Sequence, residues 1–272
     1  LCTHTDSSFA SALHLPVMEG ASTVNIHYST LDMQASGFAT QVNTIKMQGG
    51  TTTGRTVSII GSTIIAGTPL NTYLIAIRCW SAWEGGTFTI ADSTINSIAT
   101  GQANVWTIMH NGAMSSSAVM TITNSTIYMK ALNNNMGEAM KLSSFTGASS
   151  LTISSSTILA TTLTGGGTTT VYAFHMDAQA LSGGSSITFE DSSFTGHSGT
   201  HSCNGVKLDT ALSGESTILI KNCVIAASTG TPNGNGGAAL LMMSDVAGGS
   251  SITVQSCTIS MVQQAGSVEA GS

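Results

Sequence analysis

The residue types that do chemistry are thinly spread in this chain. The tightest group of metal-type ligands is His197, His201 and Cys203, an H-x3-H-x-C run. Structural zinc takes four ligands as a rule, and no fourth lies close to these three in sequence. A polar loop is the simpler reading, and no metal or cofactor is expected. His4, His14, His27, His110 and His175 stand apart without ligand spacing. Hydrolysis of a glycosidic bond needs two carboxylates facing one another across it. Glu190 and Asp191 are neighbours that a strand would point to opposite faces. Asp92 and Asp191 recur at one place in a repeating text where Asn124 and Asn222 also stand, which marks them as turn formers. The seven basic residues show no cluster suited to holding a uronate or polarising a leaving group. Neither a catalytic groove nor catalytic residues are therefore expected, and the chain reads as a non-enzyme.

Five cysteines are present: Cys2, Cys79, Cys203, Cys223 and Cys257. Cys223 and Cys257 occupy a position that is Ser in earlier copies of the repeating text, so stacking of the copies would set them on adjacent rungs. At a rung spacing of about 4.8 Å their Cα atoms fall within disulfide range. A bridge and a pair of small buried thiols both fit. Asn124-Ser125-Thr126 is an N-x-Thr sequon, a site for glycans in a secreted protein. Tyr73, Trp80, Trp83, Trp106 and Tyr172 recur in or beside one segment of the repeat. They would either form an aromatic surface for sugars or act as wedges filling a wide corner.

All these residues are placed by one repeated text: apolar, polar, apolar, two small or polar residues, Ser-Thr, then Ile. It reads VNIHYSTL from Val24, VSIIGSTI from Val57, FTIADSTI from Phe88, MTITNSTI from Met120 and LTISSSTI from Leu151. ITFEDSSF from Ile187, ILIKNCVI from Ile218 and ITVQSCTI from Ile252 follow, and CTHTDSSF from Cys2 reads as a ninth, worn copy. These starting positions advance by a nearly constant step, broken only by one short step between Cys2 and Val24. Between the copies come apolar segments closed by Gly-Gly or Gly-Ser, such as YLIAIRCWSAWEGG and VYAFHMDAQALSGGSS.

The alternation within each copy has the period of a strand, and its β-branched residues are bounded by Gly, Ser and Asn. A single repeat cannot bury its apolar stripe, whereas stacked repeats bury one continuous core. Residues 1–272 are thus expected to form one domain, an all-β, right-handed parallel β-helix of about nine coils of 31–36 residues with three short strands per coil; the hand follows from the preference of parallel crossovers. The inward ladder would run through Val57, Ile59, Ile90, Ile122, Leu151, Ile153, Ile187, Ile218, Ile220 and Ile252, beginning at Val24 and Ile26. Ser29, Ser62, Ser93, Ser125, Ser156 and Ser192 would stack as a hydroxyl ladder at the corner. An antiparallel sandwich also uses many short strands, but its strands do not repeat one eight-residue text.

Only 7% of residues are charged and the net charge is −6. No basic run could neutralise a row of phosphates, so nucleic-acid binding is not expected. The longest apolar runs, such as Leu74 to Ile77 and Leu240 to Met243, are far short of the roughly 20 residues a membrane span requires. Residue 1 is Leu, so a mature form or a piece of a longer chain is expected.

Units such as ALSGGSSITFEDSSF, ALSGESTILIKNCVI and DVAGGSSITVQSCTI resemble the repeats of the very large dispersed-gene-family surface proteins of trypanosomes and related kinetoplastids. The resemblance covers nearly the whole chain. It implies a secreted or membrane-anchored, glycosylated and adhesive β-helical ectodomain, and it brings no catalytic residues. The expected role is an extracellular, cell-surface structural protein, an adhesin stalk or a filament protomer. Its partners would be further coils stacked end to end, with glycans attached. A carbohydrate-binding or carbohydrate-cleaving protein on the same scaffold is the alternative.

Overall fold

A computed structural model describes residues 2–4, 9–15, 20–35, 40–48, 52–68, 73–80, 82–164, 170–177, 180–200, 202–230, 237–243 and 245–263. It is all-β, a parallel β-solenoid with three main strands per turn. Eight copies of the repeated text form one eight-stranded sheet, from Thr23–His27 at one edge to Ser251–Gln255 at the other. Every step between them is parallel and in register, which stacks the first apolar position as Val24, Val57, Phe88, Met120, Leu151, Ile187, Ile218 and Ile252. The second apolar position stacks as Ile26, Ile59, Ile90, Ile122, Ile153, Phe189, Ile220 and Val254. The expected ladder lies inside: Val57, Ile59, Ile90, Ile122, Leu151, Ile153, Ile187, Ile218 and Ile220 are buried and Ile252 partly so. Val254, in the last described coil, is 42% exposed.

The winding makes about seven turns where nine coils were expected, and one of the nine copies counted, that at Cys2, is not a first strand. Cys2–His4 pairs with Met33–Ala35, so it is a second strand of a coil and not a first. Measured to its true stacking partner, Met33, Cys2 keeps the ordinary period of the repeat. The short first step arises because Ser7-Ser8-Phe9 imitates the Ser-Thr-Ile corner; Phe9 in fact pairs with Gln41 in the third strand.

Second and third strands belong to a single 15-stranded sheet, because Thr94–His110 and Thr126–Leu142 run through the corner between them without a break. A short fourth segment pairs at Thr52–Thr53, Trp83–Glu84 and Met114–Ser115 and continues as single bridges from Met114 through Phe145, Leu181 and Leu212 to Val246.

Corners explain the residues between the apolar positions. Tyr28, Gly61, Asp92, Asn124, Ser155, Asp191, Asn222 and Ser256 share one corner position, and all have φ near +50°, a conformation that Asn, Asp and Gly tolerate best. The buried Ser that follows caps the coil before it. The amides of Ser29, Ser62, Ser93, Ser125 and Ser156 donate to the hydroxyls of Ser62, Ser93, Ser125, Ser156 and Ser192 at 3.1–3.2 Å. A second ladder, unmarked in the sequence reading, runs at the corner before the first strand. There Ala118, Ser149 and Ser216 amides donate to Ser149, Ser185 and Ser250 hydroxyls. The Gly-Gly ending of the third segment makes a turn with two consecutive positive φ values, as at Gly85 and Gly86. A Cβ on Gly86 would collide with the Arg55 carbonyl, so that turn needs glycine.

The interior is largely aliphatic, with an aromatic node where Phe189 packs against Phe174 at 4.9 Å and Phe194 at 4.7 Å between ring centroids. Each buried aliphatic contributes about 1.5–3 kcal/mol by area transfer. Repeated over successive coils, this offsets the ordering entropy of a Gly- and Ser-rich chain.

Candidate functional site

The third strands carry the chemistry of the molecule, because the ladder places like residues on like. The register stacks His14, Lys46, Arg78, Met109, Lys141, His175 and Lys207 in one column. Four of the seven Lys and Arg residues therefore stand in a single file, which corrects the expectation that the basic residues form no cluster. They are hidden in the sequence because each coil contributes only one of them, so no local window contains two. A parallel column stacks Asn43, Ile75, Trp106, Glu138, Tyr172 and Asn204. Ile75, Trp106 and Tyr172 are buried yet lie outside the interior hydrophobic cluster, so this column belongs to the outer side of the sheet.

Where the two columns meet, an acid–base network spans four coils. Glu138 is fully buried. Its carboxylate accepts from Trp106 Nε1 at 3.1 Å and lies 3.1 Å from His175 Nδ1. The other ring nitrogen of His175 lies 3.4 Å from Asp209 Oδ2, so a doubly protonated ring donates to both carboxylates while a neutral ring donates to one. Lys207 pairs with Asp209 at 2.6 Å and Lys141 with Asp177 at 2.8 Å. Tyr172 stacks on His175 at 4.5 Å and has Lys207 Nζ 5.2 Å from its ring centroid. Burial works against the Lys141 ammonium, but the Glu138 carboxylate and the Asp177 hydrogen bond outweigh it and raise its pKa. Asp177 is likewise disfavoured by burial, and the Lys141 hydrogen bond and charge, with smaller contributions from His175 and Lys207, together more than reverse this and lower its pKa. The network is thus a cluster of mutual hydrogen bonds and pairs within a chain otherwise poor in charge, with Asp209 Oδ1 buried and left without a hydrogen-bond partner among the described residues.

Toward the N-terminal side the same face becomes aromatic and cationic. Two adjoining depressions of about 310 and 220 Å³ share Gln41, Arg78 and Trp80. The larger is walled by Tyr73, Ile75, Trp106, Met109 and Asn111, the smaller by Lys46 and Gln48. Arg78 lies 3.6 Å over the Trp80 ring, and Tyr73 stacks on Trp106 at 5.9 Å with 15° between planes. Trp80 is 51% and Tyr73 50% exposed. Trp83 behaves differently: it is a buried wedge, edge-on to Phe88 and capped by the Arg55 guanidinium at 4.0 Å. The two readings of the aromatic residues therefore divide by position, with Trp83 as filler and Trp80, Tyr73 and Trp106 as groove wall.

The remaining sequence candidates stay apart. His197 Nδ1 bonds the Ser228 hydroxyl at 2.7 Å, and the buried Cys203 thiol donates to the Ser228 carbonyl at 3.0 Å. His201 lies outside the described residues, and among those described no group of three or more metal-type ligands converges. Cys223 and Cys257 do stack, as free thiols in the serine ladder. The Cys223 amide faces Cys257 Sγ at 3.4 Å, and each thiol donates to the carbonyl two residues back at 3.2 Å. Glu190 pairs with Lys221, and Asp191 accepts from Asn222. Asn124 is exposed at its corner, with Thr126 exposed beside it. No helix long and apolar enough to cross a membrane occurs among the described residues. Comparison with protein-family models, with curated proteins and with solved structures finds no match to this chain. The class is therefore set by the fold alone, a parallel β-solenoid with a charged and aromatic strip on its third face.

Proposed function

We propose that this chain is a rigid structural element of the cell exterior, a solenoid stalk or fibre unit that is extended by stacking of further coils. The observation that carries the reading is the unbroken register from Thr23 to Ser251, in which each coil offers its neighbour the same strand edges and the same apolar cross-section. A strand edge followed by no further coil among the described residues is a template for another chain or coil. In the last described coil Ile259 and Met261 are 46% and 40% exposed, whereas their partners Ile225 and Ala227 are buried. The exposed Asn124 sequon, the scarcity of charge and the resemblance of the repeats to kinetoplastid surface proteins support an extracellular, glycosylated setting. Electron microscopy of native material is expected to show rods longer than this solenoid, and labelling of intact cells with a membrane-impermeant reagent is expected to reach the protein. Short, monodisperse particles confined within the cell would overturn the proposal.

A second reading, carbohydrate binding, is favoured by the groove on the third face. Exposed Trp80 and Tyr73 next to hydrogen-bonding side chains are the combination by which proteins hold sugar rings, an apolar plane with a polar rim. A glycan array on the purified protein tests it, and loss of signal on replacing Trp80 is the expected result.

A further inference from the structure

We propose that the groove at the Arg78 rung is a site for an anionic saccharide, a sugar chain bearing carboxylate or sulfate groups, with Arg78 as the anion anchor and Trp80 as the stacking platform. The inference rests on the carbohydrate-binding reading and specifies its ligand.

Three observations converge. First, Arg78 is only 7% exposed, and its Nε is buried with no hydrogen-bond partner among the described residues. Burial lowers its pKa to about 10, which leaves it protonated at neutral pH. A buried guanidinium with unused donor capacity favours an oxyanion, which its planar fork can hold through two parallel bonds. Second, among the described residues no carboxylate lines either depression. On this face Lys141 and Lys207 are neutralised by Asp177 and Asp209, whereas no ion pair engages Arg78 among the described residues. The groove is therefore the cationic part of the strip. Third, the polar demand sits beside apolar planes: Arg78 is stacked on Trp80, and the Tyr73–Trp106 pair forms the opposite wall. An inorganic anion has no use for aromatic walls, and a nucleic-acid strand needs a longer row of unpaired cations. A pyranose ring with an acidic substituent uses both features at once. Rungs spaced about 4.8 Å apart are on the scale of one sugar unit, so a chain lying along the solenoid axis would meet a new rung with each residue.

Calorimetry on the purified protein tests this with four probes: an oligogalacturonide, a sulfated oligosaccharide, a neutral galacto-oligosaccharide and sodium sulfate. At least one acidic chain is expected to bind, with affinity falling as salt rises. Arg78→Gln is expected to weaken it about tenfold or more, as loss of a charge-assisted hydrogen bond does. Trp80→Ala, an exposed substitution that spares the fold, is expected to weaken it as well. Equal binding of neutral and acidic chains would remove the anionic assignment and leave the carbohydrate reading intact. Failure of all three chains to bind would remove both. Sulfate binding indifferent to Trp80→Ala, without saccharide binding, would reduce the site to a simple anion pocket and overturn the proposal.

Discussion

The backbone amide of Ser93 donates to the hydroxyl of Ser125, one coil further along the chain, at 3.2 Å. The Ser93 hydroxyl in turn accepts from the Ser62 amide at 3.1 Å and donates to the Ala91 carbonyl at 2.7 Å. Each buried serine thus satisfies a backbone group in its own coil and one in the coil before it, where the left-handed corner takes the amide out of the regular ladder.

Replacing Ser93 by Ala leaves the buried Ser62 amide without its acceptor. A cost of about 1–3 kcal/mol is expected for the orphaned donor, read as a lowered denaturant midpoint. Ser93→Cys is expected to cost less, because Cys223 and Cys257 already fill this position and make the same contacts. The reverse exchange, Cys223→Ser, is expected to leave stability nearly unchanged. A marked loss on that exchange would show that the sulfur does more than cap the corner.

Glu138 gives a sharper contrast. It is the shared acceptor of Trp106 and His175 and is fully buried. Glu138→Ala strips both partners at once, and a loss of about 3–5 kcal/mol is expected, as for breaking a buried ion pair from one side. Glu138→Gln keeps an acceptor oxygen for the indole and is expected to cost less. Asp177→Asn removes a pair whose carboxylate is 43% exposed, so a change below about 1 kcal/mol is expected there. Thermal melts of the three variants side by side check the ranking.

The fold is legible in the sequence because its signal is local and repeated. Val24-x-Ile26 and its copies state a strand, an inward face and a period in one short text, and the serine that follows names the corner. Cys2 marks where that signal fails: with its apolar pair worn away, Ser7-Ser8-Phe9 is enough to mimic the motif out of register. The charged strip is illegible for the opposite reason. Lys46, Arg78, Lys141 and Lys207 become neighbours only after winding, and nothing in their flanking residues marks them. Only the third segments set in register on one another bring out the column.

Position along one column sets the cost of truncation. Ile122 is fully buried, with Ile90 and Ile153 on the adjacent rungs, and Ile122→Ala is expected to cost about 2–5 kcal/mol. Val254 occupies the same column in the last described coil but is 42% exposed, so Val254→Ala in the isolated chain is expected to cost well under half as much. If another coil covers that edge in native material, Val254→Asp is expected to suppress association while leaving the melting of the isolated chain little altered. Sedimentation and melting curves recorded together separate the two effects.

His110 makes the interior sensitive to acid. It is almost wholly buried, its Nε2 has no hydrogen-bond partner among the described residues, and it packs near Trp83 with a 6.4 Å centroid separation. Burial is the main cause that lowers its pKa, to about 4; a backbone hydrogen bond at Gly112 opposes the shift and the Arg55 charge reinforces it. The unfolded chain, with an ordinary histidine, takes up a proton near pH 6.5, whereas the folded chain resists until about pH 4. Between those values the unfolded state binds more protons, so stability falls as the pH is lowered through the window and is fully present above it. The loss attributable to this one side chain is on the order of 3 kcal/mol. Denaturant midpoints measured from pH 7 to pH 4.5 are expected to fall for the native sequence and to fall less for His110→Gln, which cannot titrate. Identical slopes for the two proteins would mean that the ring is protonated inside the fold and that burial does not hold it neutral.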